Sequence, residues 1–255
     1  MEIIITKDAK KLGQSAGRAA AELIRRSISE KGSANIILAT GTSQFETLSQ
    51  LISEKSIDWR SVVMFHLDEY IGLPSTAKAS FRNYLKERFI DKVPPLKAAH
   101  LINGDATNGE AECRRLANLI REHPVDVALV GIGENGHLAF NDPPADFVTE
   151  QPYIIVSLDE ACRRQQLGEG WFHTLADVPK QAITMSINQI VKSKHIICSV
   201  PDSRKAMAVK NSLEQAVSDL YPASILQLHP ACTFYLDEAS AALLSRNKIS
   251  TTTQK

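Results

Sequence analysis

No run of apolar residues in this chain is long enough to cross a membrane as a helix. The opening residues, MEIIITKDAKK, lack the long apolar core of a secretory signal and read as a short strand followed by a helix start. Charge of one sign is not in excess, since 29 Lys and Arg balance 29 Asp and Glu. No overall field therefore favours nucleic acid or an anionic membrane, and neither is expected as a partner. Anion binding must come from local basic residues. Cysteines are few and scattered (Cys113, Cys162, Cys198, Cys232), with no C-x-x-C pair. A disulfide framework is not expected; reduced thiols in a cytoplasmic protein are. No pair of histidines or cysteines has metal-ligand spacing, so no metal or other cofactor is required. Internal repeats, low-complexity linkers and a firm domain boundary are also missing.

What is present is an ordinary globular balance, 44% hydrophobic and 23% charged over 255 residues. That length suits one α/β domain or two small ones. Apolar residues recur at three- and four-residue steps from Asp8 to Lys31, and Gly32 ends that helix. Further helices are expected through Phe45 to Leu51, Phe81 to Phe89 with Ser80 as cap, Asn108 to Ile120, after Ser203, and around Ala239 to Leu244. Buried strands are expected at Asn35 to Ala39, Val62 to Phe65, Leu101 to Gly104, Val127 to Val130, Pro152 to Leu158, Ile196 to Val200, Ser224 to Leu228 and Thr233 to Leu236. Ala182 to Ile190 fits either a helix or a strand with a turn. Residues Asp159 to Pro179 are the least regular and suit a mobile lid. Asn247 to Lys255 is polar and reads as frayed. The alternation implies an α/β fold, a mostly parallel sheet with helices on both faces.

Chemistry-bearing residues fall just after apolar runs. Thr40-Gly41-Thr42-Ser43 joins a strand to a helix, a recipe for anion binding by free N–H groups, helix dipole and hydroxyls. Taken alone, the motif is better explained as a helix cap supplied by Thr42 or Ser43. It is not a Walker A loop, because the Gly-Lys pair is missing. Asp68 ends the next run. Arg204 and Lys205 occupy the first turn of a helix, where the dipole disfavours cations unless they face an anion. Gly131-x-Gly133-x-x-Gly136 precedes His137, with Asn135 and Asp142 as candidate orienters. Those glycines formally match a dinucleotide fingerprint. However, Asn141-Asp142-Pro143-Pro144 would break the helix that the fingerprint demands, so a nicotinamide site is not expected. In a parallel sheet these strand ends share one edge. The inventory suggests acid–base chemistry on a small phosphorylated molecule.

Three stretches resemble the glucosamine-6-phosphate deaminase (isomerase) family, which is related to the 6-phosphogluconolactonases. They are Leu67-Asp68-Glu69-Tyr70-x-Gly72-Leu73, Gly131-x-Gly133-x-Asn135-Gly136-His137-x-Ala139-Phe140-Asn141-x-Pro143, and Ser203-x-Lys205-Ala206. The likeness runs in order from about Ile36 to Leu244. Tyr70 and the Phe-Asn-acid-Pro continuation favour a deaminase over a lactonase. The resemblance implies a single Rossmann-like domain over residues 1–255, with a lid around 159–179, and a cofactor-free conversion of glucosamine 6-phosphate to fructose 6-phosphate and ammonia. By position it implies that His137 helps open the pyranose ring, that Asp68 moves a proton from C2 to C1, and that Asn135 and Asp142 support His137. Thr40, Gly41, Thr42, Ser43 and Lys205 would hold the phosphate. Asn135 stands where some members have Asp, and Asp142 replaces the usual Glu. The lid arginine of some members falls near Glu169-Gly170, so Arg163 or Arg164 would have to substitute for it. A lactonase and a non-catalytic sugar-phosphate-binding protein remain alternatives, and a homo-oligomer stays open.

Overall fold

A computed structural model describes residues 1–245; the expected frayed segment from Asn247 lies outside the described residues. In chain order the described residues form β1 (Glu2–Thr6), α1 (Ala9–Lys31), β2 (Ala34–Leu38), α2 (Phe45–Ser53), β3 (Val62–His66), β4 (Asp68–Tyr70), α3 (Phe81–Arg88), β5 (Ala98–His100) and α4 (Gly109–Glu122). They continue as β6 (Val127–Val130), β7 (Tyr153–Ser157), α5 (Glu160–Gly168), β8 (Gln181–Met185), α6 (Ile187–Val191), β9 (His195–Val200), α7 (Ala206–Glu214) and β10 (Cys232–Asp237). The main sheet has seven strands in the order β1-β10-β9-β6-β2-β3-β5. Every pairing in it is parallel, as expected from the alternation of elements.

The central strands are buried on both faces, which is why β2, β3 and β6 read as mostly apolar runs, broken only by Asn35 and His66. Successive residues feed opposite layers. Ile37, Val63, Phe65, Ala128 and Val130 pack with Leu116 and Ile120 of α4 and Val209 and Leu213 of α7. Ile36, Leu38, Met64 and Leu129 pack on the other side with Leu12, Ala16 and Ile24 of α1 and Leu48 and Leu51 of α2. Asp8 caps α1 by accepting from Lys11 N at 2.8 Å, and Gly32 ends it in a left-handed conformation at φ 77°.

A second sheet was not expected. β4 pairs antiparallel with β8, and β8 with β7. This ribbon carries its own apolar cluster of Tyr70, Phe81, Phe140, Leu158, Cys162, Val178 and Ala182. Ala182 to Ile190 is thus a strand followed by a short helix, with Ser186 accepting from Gln189 N as the cap between them.

Several expectations need correction. The strand expected at Leu101 to Gly104 lies earlier, at Ala98–His100, because Ile102 N is taken by the His66 imidazole. Residues Ser224 to Leu228 are not a strand. Pro222 starts a 3-10 helix over Pro222–Leu228, and Ser224 Oγ accepts from Ser218 N. The helix expected around Ala239 to Leu244 is only a set of turns, in which Asp237 accepts from Ser240 N and Ala241 N. The segment Asp159 to Pro179 is more regular than expected. Asp159 accepts from Cys162 N and so caps α5, and a 3-10 turn follows at Leu175–Asp177.

Helices α1 and α2 meet at glycines. A Cβ on Gly13 would stand 2.3 Å from Glu46 Cβ and 2.5 Å from its backbone carbon, and one on Gly17 would stand 2.6 Å from Gln50 Cβ. This close approach positions the start of α2, where the Thr40–Ser43 loop ends. Alanine would favour an isolated helix by about 1 kcal/mol over glycine. Here the overlap is with backbone, so Gly13→Ala is expected to lower stability by about 1–3 kcal/mol. The midpoint of urea unfolding checks this; a stabilised variant would show that the helices do not touch in this way.

Candidate active site

The carboxyl ends of β2, β3, β6 and β9 open onto one cavity of about 450 Å³. Its lining includes Thr40, Gly41, Thr42, Ser43, Asp68, His137 and Lys205. Asn135 and Asp142 do not line it; they stand behind His137.

After β2 the chain turns at Gly41, whose φ of 95° suits glycine. Tyr84 Oη of α3 donates to Gly41 O at 2.9 Å. Buried Gln44 ties the loop to the end of β9 by donating from Nε2 to Ser199 O at 3.3 Å. Neither Thr42 nor Ser43 makes a side-chain cap to the helix, so the expectation that this is a plain cap does not hold. Both instead face the cavity. Lys205 follows β9 and is only 6% exposed. Burial pushes its pKa down, and the Glu134 and Glu169 carboxylates oppose that shift. Among the described residues it makes no ion pair within 4.0 Å. Arg204, by contrast, is held by Asp202 at 2.8 Å and Glu134 at 3.4 Å. Asp202 itself sits at φ 88°, a backbone region costly for a non-glycine residue.

The acidic triplet divides its labour. Asp68 is 6% exposed, and burial followed by the charge of Glu69 raises its pKa well above the ordinary carboxylate value. Glu69 is wholly buried and accepts from Tyr70 N (3.0 Å), Ser80 Oγ (2.6 Å), Phe81 N (3.2 Å), Arg82 N (3.0 Å) and Arg82 Nε (3.2 Å). The expected Ser80 cap is therefore corrected. Ser80 gives its hydroxyl to Glu69, and Glu69 satisfies the first N–H groups of α3. Tyr70 Oη donates to Gln166 Oε1 of α5 at 2.8 Å.

Of the glycines before His137, Gly136 takes a left-handed turn at φ 89°, and Gly133 serves packing. A Cβ on Gly133 would lie 2.2–2.5 Å from the His137 ring, so only glycine lets the imidazole lie across that turn. His137 Nδ1 lies 3.0 Å from Asp142 Oδ1, but the approach misses the direction of a hydrogen bond, and Nδ1 has no other partner. Asn135 acts one step away from the ring. Its Nδ2 donates to Asp142 Oδ1 at 3.0 Å and its Oδ1 accepts from His137 N at 3.1 Å. Burial alone would raise the Asp142 pKa; the adjacent imidazole, Asn135 and Cys162 outweigh it and lower the value. A ring nitrogen of His137, an Asp142 oxygen and Cys162 Sγ all lie within 4.8 Å of one another. These donor types suit zinc. Sequence spacing missed the grouping because Cys162 arrives on α5.

Arg163 and Arg164 do not line the cavity. Arg163 donates to Leu175 O and Val178 O within its own segment, and Arg164 pairs with Glu160 on the surface. The expectation that either takes the phosphate is thus not met. Gln165, Gln166 and Glu169 line the cavity instead, with Arg204, Asp202 and Phe140. Gln165 Oε1 accepts from Glu134 N at 3.0 Å, which pins α5 to the His137 loop. Only Arg204, misplaced at the positive end of a helix, gave a sequence signal.

An α/β protein with these groups at one sheet edge has close relatives of known class. The description "Glucosamine-6-phosphate isomerases/6-phosphogluconolactonase" matches residues 7–234, and the chain belongs to that family. It is 36% identical over 245 residues to glucosamine-6-phosphate deaminases of Bacillus thuringiensis (strain Al Hakam) and Bacillus anthracis (strain A0248), covering 96% of this chain and 90% of each relative. A monomeric glucosamine-6-phosphate deaminase of solved structure superposes with a TM-score of 0.88 at 34% identity, covering 96% of this chain and all of that one. The 6-phosphogluconolactonase of Trypanosoma brucei shares the fold at TM-score 0.76 and 19% identity, covering 96% of this chain and 98% of that one. No helix among the described residues is long and apolar enough to cross a membrane.

Glu69→Ala would leave the Arg82 guanidinium and two helix N–H groups buried without this partner. A loss of about 3–5 kcal/mol of stability is expected, read by chemical denaturation. A change under about 1 kcal/mol would contradict the anchoring role.

Proposed function

We propose that this chain is a cytoplasmic glucosamine-6-phosphate deaminase, converting glucosamine 6-phosphate and water to fructose 6-phosphate and ammonia. The observation that carries this reading is one cavity lined both by the Thr40–Ser43 loop with Lys205 and by Asp68 with His137. The relatives named as deaminases support the same choice.

Lys205, the hydroxyls of Thr42 and Ser43, and the N–H groups around Gly41 bind the phosphate. His137 uses Nε2 as the proton carrier that opens the pyranose ring, while the Asp142 carboxylate, 3.0 Å from Nδ1, favours the protonated imidazole by its charge. Asn135 positions Asp142 and the His137 backbone. In the open chain, Asp68 takes the proton from C2 and returns it to C1. The aldehyde becomes a C1 hydroxymethyl group, water replaces nitrogen at C2, and ammonia leaves. A buried carboxyl with a raised pKa is a stronger base once ionised, which suits removal of a carbon-bound proton. The α5 segment and the turn after it form a lid over this chemistry.

Asp68→Asn and His137→Gln are each expected to lose about 100- to 10,000-fold in kcat/KM, with folding intact by circular dichroism. The pH profile follows from the Asp68 shift. Only the ionised carboxylate is a base, and its pKa is raised, so activity is lost as pH falls through a value well above about 4. Activity that persists down to the ordinary carboxylate range would contradict Asp68 as the base. Rapid hydrolysis of 6-phosphogluconolactone without ammonia from any hexosamine phosphate would contradict the reaction itself.

A further inference from the structure

Glu169 lines the cavity yet has no part in the chemistry above. It caps the C-terminal end of α5, where the helix dipole disfavours a carboxylate. Its Oε2 is buried with no hydrogen-bond partner, a second unfavourable feature. That oxygen lies 3.6 Å from where a Cβ on Gly41 would stand, so it sits against the anion loop. The compensating attraction is to Lys205 and Arg204, both of whose charged forms Glu169 favours. Arg204 already has two acidic partners, whereas Lys205 has none within ion-pair distance among the described residues. Room to move is built in. Glu169 stands between Gly168 and Gly170, a Cβ on either would meet nothing within 4 Å, and Gly170 holds φ 84°.

We propose that Glu169 is an internal counter-anion, whose carboxylate occupies part of the phosphate subsite beside Gly41 and Lys205 until an incoming phosphate displaces it. The idea rests on the phosphate-binding role given to that loop under the proposed function. A phosphate dianion and the Glu169 carboxylate cannot share the subsite without like-charge repulsion. Substrate entry is therefore coupled to release of the end of α5, and the charge of the Lys205 ammonium is partly offset by the nearby Glu169 carboxylate before the phosphate arrives.

Binding of inorganic phosphate, measured by titration calorimetry on the full chain, separates the possibilities. Glu169→Gln keeps the shape and removes the charge, and its melting temperature checks that it folds. It is expected to bind phosphate about tenfold more tightly than wild type, the order of one screened charge contact. Hydrogen exchange at the end of α5 is expected to speed up on adding phosphate to wild type and to be fast already in Glu169→Gln. Equal or weaker phosphate binding by the variant would overturn the proposal. So would weaker binding of glucosamine 6-phosphate with unchanged binding of phosphate and fructose 6-phosphate, since Glu169 would then be a partner of the amino group. The underlying subsite fails differently: wild type and Lys205→Ala would show the same negligible phosphate binding, and the counter-anion role would fall with it.

Discussion

The fully buried carboxylate of Glu69 is the constraint on which the site depends. It joins β4 to the first turn of α3, and Arg82 carries the balancing charge on to Asp105 at 2.8 Å. A buried acid is costly unless its lone pairs and charge are met, and here five donors meet it. The same carboxylate acts on its neighbour in two ways. It fixes the short strand that begins with Asp68, and its charge adds to burial in raising the Asp68 pKa. Glu69 thus helps set the position of the proposed base and adds to the burial that chiefly raises its pKa. Tyr70, on the other side of Glu69, extends the framework to α5 through Gln166.

The fold was legible wherever burial had to show in composition. Strands covered on both faces read as apolar runs, and helices between them show their period, so the parallel sheet and the shared edge follow. The second sheet was hidden because β4 is the triplet Asp-Glu-Tyr. Its burial depends on Arg82, Ser80 and Thr184, far away in the chain, and no local pattern announces them. The 3-10 segment Pro222–Leu228 was read in part as a strand because its apolar residues, some buried and Leu228 exposed, show no helical period. Its role lies elsewhere: Ala223 N donates to Gly136 O at 2.9 Å and so supports the His137 loop.

The candidate site residues divide along the same line. Thr40 to Ser43, Asp68, His137 and Lys205 follow apolar runs, and the sheet gathers them into one cavity. Asn135 and Asp142 follow from proximity to His137 in sequence, although Asn135 reaches the ring only through Asp142. Contributions from α5 could not be read, since which face of it meets the cavity is set by tertiary pairing of Gln165 with Glu134 N and of Gln166 with Tyr70. That pairing turns Arg163 and Arg164 away and brings an acid to the anion loop.

The central claim is that Asp68 transfers a proton between adjacent carbons of an amino-sugar phosphate in this cavity. Glucosamine 6-phosphate deuterated at C2, followed by NMR in water, tests it directly. Ammonia release is expected in step with loss of deuterium from C2, with some of that deuterium appearing at C1 of fructose 6-phosphate because a buried base exchanges slowly with solvent. Deuterium that stays at C2 without ammonia release, or ammonia formed at an undiminished rate by Asp68→Asn, would contradict it.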